Sequence, residues 1–176
     1  MDQEIRYRLY EREGSTGSDD RILVRDLAQK VIKVLEKPDI RSAIRKVHKV
    51  GATSHAVQGA ILHDMESLGF SSERKGLFSD FKVSGIRPDY YSSMGGGILF
   101  EVERGKTIAN NMDILDIWKT HICKDARHLF LLVPEVRVTE KGSEQRIFNT
   151  VENRIASFFG NDVEPIDVDS VHLFGY

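Results

Sequence analysis

GGGILFEVERGK, residues 95–106, decides how the rest of the chain is read. Three glycines make a turn, an apolar strand runs from Ile98 to Glu103, and a further glycine and Lys106 close it. Side chains alternate along a strand, so Ile98, Phe100 and Val102 face one way while Leu99, Glu101 and Glu103 face the other. Two like charges are thereby set side by side. About 4 Å apart, at an effective dielectric near 20, they repel by roughly 4 kcal/mol, so converging carboxylates need water, a shared proton or a cation. A hard divalent ion is the economical answer, because carboxylate oxygens are the ligands Mg²⁺ and Mn²⁺ prefer.

A third acid lies upstream. Asp89 in RPDYY precedes Glu101 by twelve residues. Pro88 presets the backbone, and YYSSMGGG reads as a turn that returns the chain antiparallel to itself, bringing Asp89 beside the strand of Glu101.

Working outward, HLFLLVP (128–134) is a continuous apolar run of the kind found in strands covered on both faces. A helix from Thr107 to about Cys123 separates it from the Glu101 strand, so the two strands form a crossover and should be parallel neighbours. Phe70–Lys75 and Phe78–Val83 also read as strands. Upstream lie three helices. The first, about 21–36, carries Ile22, Leu23, Leu27, Val31, Val34 and Leu35 at helical spacing after a possible cap at Asp19 or Asp20, and stops before Pro38. The second starts at Pro38 and presents Ile40, Ala43, Ile44 and Val47. It is also the most basic segment: Lys37, Arg41, Arg45, Lys46 and Lys49 stand against Asp39 alone, either as an ordinary solvated face or as a phosphate-contacting surface. The third, from Thr53 or Ser54 to Gly69, places Val57, Ala60, Ile61, Met65 and Leu68 on one face, with Asp64 inside that face and Gln58 at its border. A last helix spans roughly 144–159.

The expected fold class is α/β, a mixed central β-sheet flanked by helices, in one domain over 1–176. The core covers about 53–134, with an N-terminal helical extension about 19–50 and a C-terminal helix and tail about 144–176. Lys and Arg total 25 against 27 Asp and Glu, so whole-chain charge names no acidic partner. Any anion-binding surface must come from local segregation of charge. The single cysteine, Cys123, excludes an intramolecular disulfide and suits a reducing compartment. MDQEIRYRLYEREG is too charged for a signal peptide and no apolar run reaches a membrane span, so the expectation is a soluble cytoplasmic protein with no membrane partner. His55, His63, His121 and His128 have no metal-ligand spacing and read as surface or packing residues.

Pro88-Asp89, then Glu101-x-Glu103 on a strand, then Gly105-Lys106 and a helix, resembles the PD-(D/E)XK nuclease superfamily, whose core is a helix, a β-meander, a helix and a further strand. The resemblance covers about residues 53–134 and implies a restriction endonuclease-like core and Mg²⁺-dependent hydrolysis of DNA phosphodiesters, with Mn²⁺ as a possible substitute. It implies Asp89 and Glu101 as metal ligands, with the carbonyl of Val102 as a third oxygen. Glu103 departs from the family, most of whose members have Lys there. It would act as a general base or ligate a second metal. Some restriction endonucleases with Glu or Gln at this place similarly run into a glycine-containing turn and a helix carrying Asp and Lys, as Asp116 and Lys119 do here. Lys106, three residues past Glu103, is the expected replacement cation. Lys119 stands twelve residues past Thr107, about 18 Å of helical rise, and is placed instead with Arg41, Arg45, Lys46 and Lys49 among DNA-contacting residues. The family often adds an acid from its first core helix, and Asp64 and Gln58 are the candidates for that contribution; Gln58 stands about where resolvase-like members carry a helix Glu, for which an amide is a poor replacement. Asp64 has the alternative reading of a partly buried acid paired with a nearby Lys or Arg.

Two classes of function follow. The first is a metal-dependent DNA endonuclease, most simply a homodimeric type II restriction enzyme, since one site cuts one strand and a two-fold dimer cuts both. A repair or Holliday-junction nuclease is its close variant. The second is a catalytically inactive DNA-binding or assembly module, in which Glu103 and Gln58 mark lost chemistry.

Overall fold

The structure is a computed structural model that describes residues 4–12, 17–73, 75–79, 86–104, 107–160 and 166–176. One six-stranded mixed sheet forms its middle layer, built from β1 (Arg6–Glu11), β2 (Ser71–Ser72), β3 (Tyr90–Ser92), β4 (Ile98–Val102), β5 (His128–Val133) and β8 (Ser170–Gly175) in the order β1-β8-β5-β4-β3-β2. β4, β5 and β8 run parallel; β1 joins β8 antiparallel, and β3 joins β4 antiparallel. A small hairpin, β6 (Arg137–Val138) with β7 (Glu144–Gln145), stands apart from it.

Helices cover both faces, as an all-buried β5 requires. On one side α1 (Ser18–Leu35), α2 (Pro38–Val47) and α3 (Ser54–Ser67) pack Leu27, Val31, Ile44, Ile61 and Met65 against Ile98, Phe100, Val102, Phe130 and Phe174. On the other, α4 (Met112–Ile122) and α5 (Ile147–Ala156) pack Ile117, Phe148, Val151 and Ile155 against Leu99, Leu129, Leu131 and Leu173. The alternation read from the sequence therefore holds: Ile98, Phe100 and Val102 belong to one core and Leu99 to the other. The β4–α4–β5 crossover is present, with Glu101 opposite Leu131. None of the described helices is long and apolar enough to cross a membrane.

Several boundaries differ from expectation. α1 begins at Ser18, so Asp19 and Asp20 occupy its first turn, where the positive end of the helix favours them, rather than a capping position. The strand antiparallel to β4 is Tyr90–Ser92, part of the stretch read as turn. Phe70–Lys75 contracts to Ser71–Ser72, Leu77–Ser79 form a turn, and the remainder of the expected strand, 80–83, lies outside the described residues. α4 begins at Met112 rather than Thr107 because residues 107–111 form a turn that ends on Asn111 in a left-handed conformation (φ 53°). The glycine run has a steric cause: a Cβ on Gly97 (φ +93°) would fall 1.8 Å from the Asp125 carbonyl oxygen, and one on Gly95 2.4 Å from Val24.

β8 enters the centre of the sheet with a polar pair. Ser170 Oγ lies 2.7 Å from His128 Nδ1 and 3.1 Å from His172 Nε2, and Tyr7 on β1 reaches His172 Nδ1 at 2.8 Å. Burial, and after it the neighbouring His128, push the His172 pKa down to about 3. An unfolded histidine titrates near 6.5, so the unfolded chain takes up the proton first; the contribution is complete above about pH 6.5 and is lost as pH falls from there toward 3. Denaturant titrations should show an unfolding free energy that drops by about 2 kcal/mol between pH 6.5 and 4.5 on account of this residue, with a shallower pH dependence in a His172→Gln variant.

Candidate functional site

β4 delivers Glu101 and Glu103 to its C-terminal end because the strand is covered on both faces and cannot slip in register without inverting two cores. Asp89 reaches the same place from the start of β3. The two elements are cross-linked reciprocally: the Val102 amide donates to Asp89 Oδ2 at 2.8 Å, and the Asp89 amide donates to Glu101 Oε2 at 3.3 Å. Gln58, from α3, stands near Asp89 and helps to hold its pKa down, and its Oε1 faces His55 Nδ1 at 3.2 Å.

The remaining members come from α4. Lys119 Nζ lies 2.8 Å from Glu101 Oε1 and 3.2 Å from Asp116 Oδ1. This corrects the placement of Lys119 away from the strand. Residues 107–111 overshoot the end of β4 before the helix begins, and a crossover helix doubles back along its strand, so the rise along α4 carries Lys119 toward Glu101. Asp116, not assigned a site role from sequence, is 1% exposed, and its Oδ2 has no hydrogen-bond partner. Its signal was present in the Asp-Lys pair three residues apart on an apolar helix, where charges are unexpected unless paired.

Four carboxyl groups thus gather near one ammonium, Glu101 and Asp116 buried and paired with it, Asp89 and Glu103 half-buried beside them. Glu101, only 3% exposed, has its pKa raised well above the ordinary range by burial, then by Asp116, with Lys119 opposing. Glu103 is pushed up to about 8 by burial, then by Asp116 and Asp89; Thr107 Oγ1 reaches it at 3.4 Å. Asp116 is pushed up to about 6 by burial, against the pull of Lys119. Asp89 is raised by burial, moderated by the Val102 amide. Burial alone would lower the Lys119 pKa, but Glu101 and Asp116 together outweigh it and raise it.

The other expected residues are distributed differently. Asp64 is half-buried and ion-paired with Lys37 at the start of α2, which is the paired-acid alternative. Arg45, Lys46 and Lys49 are exposed and Arg41 half-buried. Lys106, the expected replacement cation, lies outside the described residues. Among the described residues no three His, Cys, Asp or Glu side chains already stand in coordination geometry, because Asp89 is turned to a backbone amide and Glu101 to Lys119. The donor set nevertheless fits a hard divalent cation: all-oxygen ligands, carboxyls whose charges repel one another, and a buried carboxylate oxygen with no partner.

No family model matches the sequence, and no curated protein matches it. Among solved structures, the chain is similar to the restriction endonuclease BglII complexed with a DNA 16-mer, with a TM-score of 0.53 and 15% identity over 98% of this chain and 78% of that one. The fold is therefore restriction endonuclease-like.

Removing the shared ammonium tests the electrostatic account. Lys119→Met leaves buried acids without their counter-charge and should lower the unfolding free energy by about 3 kcal/mol at pH 8. Because the folded-state pKa values of these acids are raised, the loss should shrink at pH 5, where they are protonated; denaturant titrations at the two pH values measure it.

Proposed function

We propose that the protein is a metal-dependent endodeoxyribonuclease that hydrolyses DNA phosphodiester bonds, a type II restriction endonuclease-like enzyme working as a homodimer. The observation that carries this reading is the gathering of Asp89, Glu101, Glu103 and Asp116 around Lys119 at the C-terminal end of β4. The likeness in fold to a restriction enzyme bound to DNA supports it.

Asp89 and Glu101, with the Val102 carbonyl, would hold Mg²⁺ or Mn²⁺, and Asp116 offers a further oxygen. When bound, the ion supplies Lewis-acid stabilisation of the phosphate and lowers the pKa of a water. Glu103, pushed up to about 8 by burial and then by Asp116 and Asp89, would serve as general base toward the attacking water once a bound cation offsets the charge of those neighbouring acids. Lys119 occupies the role that a strand lysine fills in most of the superfamily, reached here from a helix; its ammonium faces the acids and steadies developing negative charge on the phosphate. Gln58 favours the ionised form of Asp89.

The dimer part of the reading rests on the outer face of α4, which leaves two large apolar side chains in solvent. Asp113, Asp116 and Lys119 face inward, Asp113 onto Arg154 at 3.1 Å, while Leu115 and Trp118 are 49% and 55% exposed. An ordinary surface helix presents charged or polar side chains there. The outward face carries no charge between Leu115 and Ile122 that would repel a copy of itself across a two-fold axis.

Incubating wild-type protein with plasmid DNA and Mg²⁺ or Mn²⁺ should give discrete fragments that EDTA abolishes, and Glu103→Gln should slow cleavage by about 10²–10⁴-fold. If neither wild type nor Asp89→Ala cuts under any metal, the inactive DNA-binding module takes its place. Light scattering should find a dimer for wild type and a monomer for Trp118→Lys, which places a charge in the centre of the contact.

A further inference from the structure

Arg104 follows the Glu101–Glu103 pair by one residue, so its side chain leaves the strand on the face opposite to the acids. It is 4% exposed. One guanidinium nitrogen donates to the Ala52 carbonyl at 2.7 Å and another to the Lys49 carbonyl, which ties the end of β4 to the loop between α2 and α3. Its Nε is buried with no hydrogen-bond partner, and no carboxylate pairs with it among the described residues.

A second guanidinium faces the same space. Arg137, the first residue of β6, and Arg104 both line a cavity of about 200 Å³ between the α2–α3 loop and the β6–β7 hairpin. Arg137 also has no ion pair among the described residues. Glu140 is the one acid on the wall, exposed and paired with neither arginine among the described residues. Burial lowers the Arg104 pKa; the nearby Tyr176 hydroxyl opposes the shift and the charge of Arg137 adds to it. A buried cation is ordinarily compensated. Guanidinium groups match the planar spread of phosphate oxygens, and the cavity has room for one phosphate group.

We propose that the Arg104–Arg137 cavity binds a phosphate oxyanion, supplied by the backbone of the DNA duplex. The assignment to DNA rests on the nuclease reading; the anion site itself rests on the two arginines. The exposed Lys49, whose carbonyl holds Arg104, together with Arg45 and Lys46, extends positive charge from this cavity along α2. In this arrangement one phosphate is gripped on the α2–α3 side of β4 while another lies over the acids on the opposite side.

The test uses the full chain in EDTA, so that binding is read without cleavage. Fluorescence anisotropy of a labelled duplex should show about tenfold weaker binding by Arg137→Ala than by wild type, and a slope of log K against log salt reduced by about one; Arg137→Lys should restore the slope. In parallel, inorganic phosphate should raise the melting temperature of wild type and not of Arg137→Ala, whose melting temperature without phosphate serves as the folding control. Wild-type affinity and slope in Arg137→Ala, with no difference toward phosphate, would overturn the proposal. Discrimination by phosphate but not by duplex would make the cavity a free-phosphate site and overturn its assignment to DNA. If no form of the protein binds duplex while phosphate still distinguishes them, the nuclease reading falls and the anion site stands.

Discussion

Four carboxyl groups crowd the half-buried ammonium of Lys119 at the end of β4, two of them paired with it, and much of the architecture can be understood as the means of holding them there. Carboxylates withdrawn from water lose far more hydration than a single cation returns, so they stay together only when the backbone fixes them. Here the backbone is fixed from both sides. Phe100 and Val102 are locked into the core beneath α1–α3, and Leu99 into the core beneath α4 and α5. Asp89 is held by a pair of amide–carboxylate bonds that work only in one register of β3 against β4. The repulsion that remains appears as raised pKa values at Glu101, Glu103 and Asp116.

The central part of this arrangement was legible in the sequence because it is encoded locally. Period-two alternation sets the facing of Glu101 and Glu103, and a continuous apolar run identifies β5 as a strand buried on both sides. The flanking strands were not legible. β1 alternates Arg6, Tyr7, Arg8 and Leu9 at strand period, but inside a short, highly charged segment; it is stabilised by pairing with β8 and by ion pairs from Arg6 and Arg8 to Glu152 on α5. β8 carries Ser170 and His172 into the middle of the sheet, where only the partners Tyr7 and His128 make them acceptable, and those partners are distant in sequence.

Lys119 shows a different limit. Counting rise along a helix gives a distance from the start of that helix, not from the strand before it. The sign of the displacement depends on the loop, and the turn at 107–111 delays the helix by five residues and reverses its sense. Asp116 and Lys119 lie three apart, a spacing that puts them on one face, but which face that is depends on Ile117 and Thr120 beside them being buried.

α4 keeps Asp113, Asp116 and Lys119 on its inner side beside Ile117 and leaves Leu115 and Trp118 outside, with successive residues stepping about 100° around the axis. Exchange of one outer side chain for another of similar character leaves the acids where they are. A single-residue insertion or deletion between Asn111 and Asp116 does not: it turns the downstream helix by more than a quarter of a circle, sending Asp116 and Lys119 off their line to Glu101 and swinging Leu115 and Trp118 with them. The helix therefore behaves as a keyed shaft, tolerant of its surface finish and intolerant of its angular setting, so that changes in length should be confined to the turns at either end.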